Sequence, residues 1–393
     1  MLHKLNLSNT QKKLLAVLKK YMNVQTNIQP NFKGYDARPL KGFIMSSNCR
    51  GIAEEMAAIG KKENFKIFAA YDPVRQCTGE FLPPYRKSTE GLWAQDLWMI
   101  VKNKLMSFDN STRSASIKKY FNLEYDFTEN FARNSEKISG LKNRLQRIIE
   151  KAFDDPTYLS EFNVRQSTIR DMQDKTHIAG GNIFLVKNGN KDEILVGEDE
   201  LKNYTRSNIS KMYCADKVIT LPQMDFHLDL FIRPLDEKKV LLADDNLTLK
   251  LLKENSSKYY EHFRNEVLDN NLAQADEVAK ILEKNDYEVI RVPARIYSEG
   301  LISFDGETYL KHLCNYINAN VLKNSDGDLV YITNKSDINK KVGFDFENAF
   351  IESISPYIKK EKIYFIHGEN NFVARKMLKN YHGGIHCTCT EVI

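Results

Sequence analysis

Much that would place a chain in a specialised class is missing from this 393-residue sequence. There are only six cysteines, Cys49, Cys77, Cys214, Cys314, Cys387 and Cys389, and no C-x-x-C pair among them; the one close pair is C-x-C. That spacing argues against both a disulfide framework and a zinc site, and suits a reducing compartment. No apolar run approaches the roughly 20 residues of a membrane-spanning helix, so no membrane partner is expected. The amphipathic opening stretch "MLHKLNLSNTQKKLLAVLKKYM" is interrupted by lysines, so no secretory signal peptide is expected there. No dense basic stripe accompanies the formal net charge of +5, and nucleic acid is not an expected partner. A cytoplasmic protein is the resulting expectation. The Lys/Asn/Ile-rich composition would also suit an injected bacterial effector.

What is present is an ordinary core. Hydrophobic residues make up 42% of the chain, aromatics 11% and charged residues 28%, enough for two or three domains or one large repetitive α/β domain. The Pro/Gly/Asn-rich stretch "NIQPNFKGYDARPLKG" reads as a connector. After it, strand and helix periods alternate. "GFIMSS" predicts a strand, "RGIAEEMAAIGKKEN" a helix, "FKIFAAY" and "LWMIV" strands. Between about 110 and 171 strand signals vanish, while Ile138, Leu141, Leu145, Ile148, Ile149 and Ala152 recur at helical spacing, which predicts a helical insertion. Strands return with "NIFLVKN", "EILVG", "KVITL", "FHLDLFI" and "KVLLA". A helical stretch from about Thr248 to Lys284 follows, then the strand "YEVIRV". The tail repeats the theme with "LVYIT", "FENAFIESISPYIKK", "IYFIHG", "NNFVARKMLKNY" and a last strand at "IHCTCTEVI". The alternation suggests a repeated strand-rich α/β unit, although no sequence repeat is visible.

Four short stretches carry side chains suited to chemistry. In "QMDFHLDLFIRPL" a strand would place His227 and Asp229 on one face, either as a solvated edge or as a site. In "GLWAQDLWMIV" Asp96 stands between the only tryptophans, Trp93 and Trp98, and a carboxylate in such company needs a partner. "AGGN" at 179–182 marks a tight turn. In "GGIHCTC" a strand would turn Cys387 and Cys389 to one face and His386 to the other; free cysteine is otherwise often a small core residue.

In this order, W-x-Q-D, GGN, H-x-D and G-G-I-H-C, the set resembles the guanidine-modifying enzymes of the pentein superfamily. It is closest to the protein-arginine deiminases, with agmatine deiminase-like features. The resemblance runs from about residue 41 to the C-terminus. It implies a pentein-type α/β propeller of pseudo-fivefold ββαβ units in residues 41–393, with the helical insertion at about 110–171, and leaves 1–40 as an N-terminal helical extension. It implies that Asp96 and Asp229 bind a guanidinium from its two sides, that Trp93 covers the cation, that Cys387 is the nucleophile and that His227 moves protons. A guanidinium stays protonated in water, so carboxylates and an aromatic wall are the groups that would receive it. The implied reaction is hydrolysis of a guanidino group through a covalent Cys thiouronium, most simply peptidyl-arginine to peptidyl-citrulline and ammonia. Agmatine or free arginine deimination and amidino transfer are the alternatives, and a non-catalytic binding protein of this fold is the remote one. The expected partner is therefore an arginine-containing protein or a small guanidino compound. Two departures matter. Ala179 stands where small-guanidine deiminases commonly carry an acid, and Met99 where calcium-dependent relatives carry a ligand. No cofactor is expected, and calcium is doubted.

Overall fold

Apolar residues spaced for strands and for helices in turn give this chain a series of small sheets, each capped by helices. The computed structural model describes residues 42–46, 50–71, 93–101, 104–107, 159–163, 178, 180–236, 238–267, 271–304 and 307–392. All of them belong to one compact unit, 34–393. Residues 1–40, Ala179 and most of the expected helical insertion lie outside the described residues.

Strand β1 (Gly42–Ser46) leads into the helix Arg50–Glu63, which returns to β2 (Lys66–Tyr71), parallel to β1. Ile52, Ala53, Met56, Ala57 and Ile59 give that helix one buried stripe, as a half-exposed helix requires. A single-turn helix, Ala94–Leu97, precedes the hairpin β3 (Trp98–Val101) and β4 (Lys104–Ser107). Strand β5 (Leu159–Asn163) joins β2 in parallel. It falls inside the segment expected to be helical. Its short "LSEFN" run lacks the β-branched residues that mark a strand in sequence, and pairing with β2 decides its state.

Three consecutive units then share one plan. In the first, β6 (Ile183–Asn188) and β7 (Lys191–Gly197) form a hairpin, the helix Arg206–Tyr213 follows, and β8 (Lys217–Leu221) returns parallel to β7. In the second, β9 (Ile232–Asp236) and β10 (Lys239–Ala243) pair antiparallel, helices Asp245–Glu254, Tyr260–Val267 and Asn271–Lys284 cross over, and β11 (Glu288–Val292) pairs with β10 in parallel. The hairpin β12 (Arg295–Phe304) and β13 (Glu307–Asn315) follows without a helix. It was not expected from sequence, and neither was β14. In the third unit β14 (Asn320–Lys323) and β15 (Leu329–Asn334) pair, helices Ile338–Val342 and Phe346–Ile354 intervene, and β16 (Ile363–Ile366) runs parallel to β15. Side-chain caps start several of these helices, as Asp244 does by accepting from Asn246 N at 2.8 Å and Leu247 N at 3.2 Å.

The fourth ββαβ unit is built from both ends of the chain. Strand β17 (Cys389–Val392) pairs antiparallel with β1, Cys389 opposite Met45, so the last strand completes the unit begun by β1, its helix and β2. Repetition of an α/β unit is thus the architecture. Each sheet is separate, and none among the described residues closes on itself. One core runs from Phe184 to Ile363 through the three consecutive units, and a second joins β1 and the first helix to Ile385 and Cys389 of the tail.

Two expected strands are turns. His227 to Leu230 is an extended residue followed by one 3₁₀ turn, and only Ile232–Asp236 is strand. Gln223 Nε2 donates to the carbonyls of Asp225 and Phe226, and Asn182 Oδ1 accepts from Leu228 N at 3.2 Å, so side-chain amides take backbone groups that a ladder would have used. The tail behaves likewise. His386–Thr388 is a 3₁₀ turn, with Asn334 Oδ1 accepting from Ile385 N at 2.8 Å and Asn318 Oδ1 from His386 N at 2.9 Å. The stretch "NNFVARKMLKNY" also departs from a plain helix, with a π-helical turn at Val373–Met377 before one α turn at Leu378–Asn380. No helix among the described residues is long and apolar enough to cross a membrane.

Candidate active site

The turn Gly180–Asn182 is the seat of the H-x-D turn. A Cβ on Gly181 would lie 2.5 Å from His227 Nδ1 and 3.0 Å from Asp229 Oδ1, so only glycine lets both side chains settle there. Asn182 fixes the seat: its Oδ1 takes Leu228 N and Gln223 Nε2, and its Nδ2 donates to Glu200. His227 and Asp229 therefore meet over the GGN turn, not on a strand face. Asp229 is fully buried, and His227 is 8% exposed.

The tail brings Cys387 to the same carboxylate. Cys387 Sγ donates to Asp229 Oδ2 at 3.1 Å, and Asn318 Nδ2 donates to Cys387 Sγ at 3.1 Å. His386 Nδ1 reaches the same Asp229 oxygen at 2.8 Å, while Gln95 Nε2 donates to its Nε2 at 3.0 Å. Burial, with Arg233 and His227 nearby, holds His386 well below the ordinary imidazole value. It is thus neutral, protonated on Nδ1, and serves to orient the carboxylate. Because residues 386–388 turn instead of extending, His386 and Cys387 approach one group, and the expected division of faces is reversed.

Cys389 lies elsewhere. It is 2% exposed within the second core, and burial pushes its thiol up to about 12. Cys387, by contrast, has the Asn318 amide donating to its sulfur and the Asp229 carboxylate beside it. Trp93 packs against the tail: a Cβ on Gly383 would lie 2.6 Å from its ring. Asp96 shares the turn Ala94–Leu97 with Gln95, so the backbone of W-x-Q-D abuts the site; the Asp96 side chain is outside what the structure describes. Met99 lies on β3.

Gln95, Asn318, Asn334 and His386 were not assigned roles from sequence. Gln95 and His386 stood within the recognised motifs. Asn318 and Asn334 gave no signal beyond their residue type. One group of described residues has donors spaced for a metal ion: Asp225, His312 and His382, whose ligand atoms lie within 4.8 Å of one another.

No protein-family model matches the chain, and no curated protein matches its sequence. Among solved structures it is similar to an agmatine deiminase of C. jejuni, at 12% identity and a TM-score of 0.45, over 92% of this chain and 94% of that one. A substrate-bound cysteine-to-serine form of that enzyme aligns at 11% identity and 0.42, over 91% and 96%. Its neighbours in structure are agmatine deiminases.

Proposed function

We propose that the chain hydrolyses a guanidino group to a ureido group and ammonia, with Cys387 as nucleophile. The observation that carries this reading is the Cys387 thiol donating at 3.1 Å to the fully buried carboxylate of Asp229. A thiolate and a carboxylate at that distance repel by roughly 5 kcal/mol at an effective dielectric of about 20. A site that must ionise this thiol is therefore made for a substrate that brings its own positive charge. A guanidinium does so, and its planar N–H groups match a carboxylate fork.

In the proposed sequence Asp229, with Asp96 from the other side, holds the guanidinium. The Cys387 proton passes to His227 as the sulfur attacks the guanidino carbon and forms the C–S bond. His227 gives a proton to the departing nitrogen, and the C–N bond breaks to release ammonia. His227 then takes a proton from water, whose oxygen attacks the same carbon, and the C–S bond breaks to restore Cys387. No metal or cofactor enters these steps. The fold reading that goes with it is a pentein-type propeller, the four ββαβ units being four blades and the hairpin β12–β13 standing for the fifth.

For substrate we favour a small guanidine such as agmatine, because Asp229, Cys387 and His227 are 0%, 5% and 8% exposed, a depth suited to a ligand that is engulfed. Arginine within a protein is the second reading. The W-x-Q-D form around Asp96 and the non-acidic Ala179 before GGN favour it. Incubation with equal amounts of agmatine, free arginine and a blocked arginine amide, read by ammonia release and a mass shift of about one dalton, separates them. Agmatine should react fastest. Preference for the blocked amide supports the second reading, and no reaction with any of the three removes both.

A further inference from the structure

Four residues before Asp229, on the same turn, stands a second buried aspartate that the proposed chemistry does not use. Asp225 Oδ1 accepts from His382 Nε2 at 2.9 Å and from Phe226 N at 2.8 Å. Its Oδ2 accepts from His312 Nε2 at 2.9 Å and Arg295 Nη1 at 3.5 Å. Arg295 is itself held by Asp245, Nη2 to Oδ2 at 2.8 Å, and Tyr297 donates to the same oxygen at 3.3 Å. Burial opposes the charge on Asp225, but the two imidazoles outweigh it and keep the carboxyl well below the usual range.

Spacing alone would let Asp225, His312 and His382 hold a metal ion. The hydrogen bonds argue otherwise. Asn315 Oδ1 accepts from Ile317 N and Asn318 N, both at 3.1 Å, and its Nδ2 donates to Leu230 O, which fixes the amide's orientation. The same Nδ2 lies 3.3 Å from His312 Nδ1. That nitrogen must accept, so the His312 proton sits on Nε2 and points at Asp225, where it blocks a metal.

The three groups make a clamp instead. His382, with φ of 52° in the left-handed region, begins the loop that runs through Gly383 and Gly384 to Cys387. His312 and Arg295 belong to the paired strands β13 and β12. Phe226, next to Asp225, stacks on His227 with ring centroids 4.1 Å apart and meets His382 at 6.3 Å. We propose that Asp225 is a positioning residue: by holding His382 and His312 at once, it sets the Cys387 loop against the turn bearing His227 and Asp229. The proposal rests on Cys387 being the nucleophile.

The test reads Cys387 directly. Chloroacetamide alkylation, mapped by mass spectrometry, gives the reactivity of this thiol without any substrate. In His382→Phe, which keeps the ring but removes the donor, the alkylation rate should change at least fivefold, while His382→Gln, whose amide can still donate to Asp225, should stay within twofold. With a guanidino substrate, His382→Phe should lower kcat at least tenfold and leave KM within threefold. If His382→Phe fails to fold, His312→Phe breaks the other bond to the same carboxylate and should give the same pattern. Parent-like alkylation and kcat in a folded Phe variant would overturn the proposal, and so would equal losses in the Phe and Gln variants. One equivalent of bound transition metal, lost in His382→Phe, would also overturn it. If no guanidine reacts but the alkylation pattern holds, the positioning role stands and the proposed reaction falls.

Discussion

Asp225 and Asp229 lie four residues apart and both are buried, yet they keep different company. Asp225 is held by two imidazoles and an arginine that link three parts of the fold. Asp229 receives a neutral imidazole and a thiol from adjacent residues of the tail. Both are buried aspartates, so their donors are what distinguish them. A carboxylate surrounded by fixed partners holds structure, whereas one that faces the proposed nucleophile is the one the proposed reaction would use.

The sharpest way to break this comparison is to remove the thiol. Cys387→Ala should lower turnover at least a thousandfold in an ammonia-release assay, while Cys389→Ala stays within about threefold. The ground for the difference is that Cys387 faces Asp229 and Asn318, whereas Cys389 lies within the second core. Activity that survives Cys387→Ala but not Cys389→Ala would move the site to the other thiol.

Asn at each aspartate comes next. Asp229→Asn should cost about 100-fold or more in kcat/KM with its thermal midpoint little changed. Asp225→Asn should instead lower stability by about 3 kcal/mol, since it leaves buried partners of a charge unmatched. Paired melts and kinetics decide this, and a stability loss confined to Asp229→Asn would exchange the two roles.

A smaller effect follows from acid. The carboxyl of Asp225 is depressed in the folded protein, so its stabilising contribution is complete above the unfolded value of about 3.9 and is lost as pH falls through the lower folded value. The gap in melting temperature between parent and Asp225→Asn should therefore narrow as pH falls below about 4. A gap that instead widened on acidification would contradict the ionised state of Asp225.

The smallest expected effect is none. Excess chelator should leave turnover unchanged, in keeping with a metal-free reaction and with a proton on His312 Nε2. Loss of activity that calcium restores would reverse this expectation.

Much of the site was legible because its residues stand in short linear motifs. GGN, H-x-D and G-G-I-H-C point to Gly181, His227, Asp229 and Cys387, and the structure brings these four together. The alternation of strands and helices was legible too, since each element carries its own apolar period. The hairpin β12–β13 was not, because its strands interleave buried polar residues such as Arg295, His312 and Asn315 with the apolar ones, which blurs the two-residue period.

What the sequence determined by itself was local: the elements with a clear apolar stripe, their caps, and the short motifs that carry the candidate site residues. What only the tertiary structure decided was how those groups point. At 224–230 and 385–388 the backbone turns away from the strand that its apolar pattern favours, because amides from Asn182, Gln223, Asn318 and Asn334 satisfy its polar groups. The partner of Asp225 on the tail lies 157 residues away, as does the partner of Asp229. A hydrogen bond across that separation needs the tail folded back onto the earlier units, where Asn318 and Asn334 hold it and β17 pairs with β1.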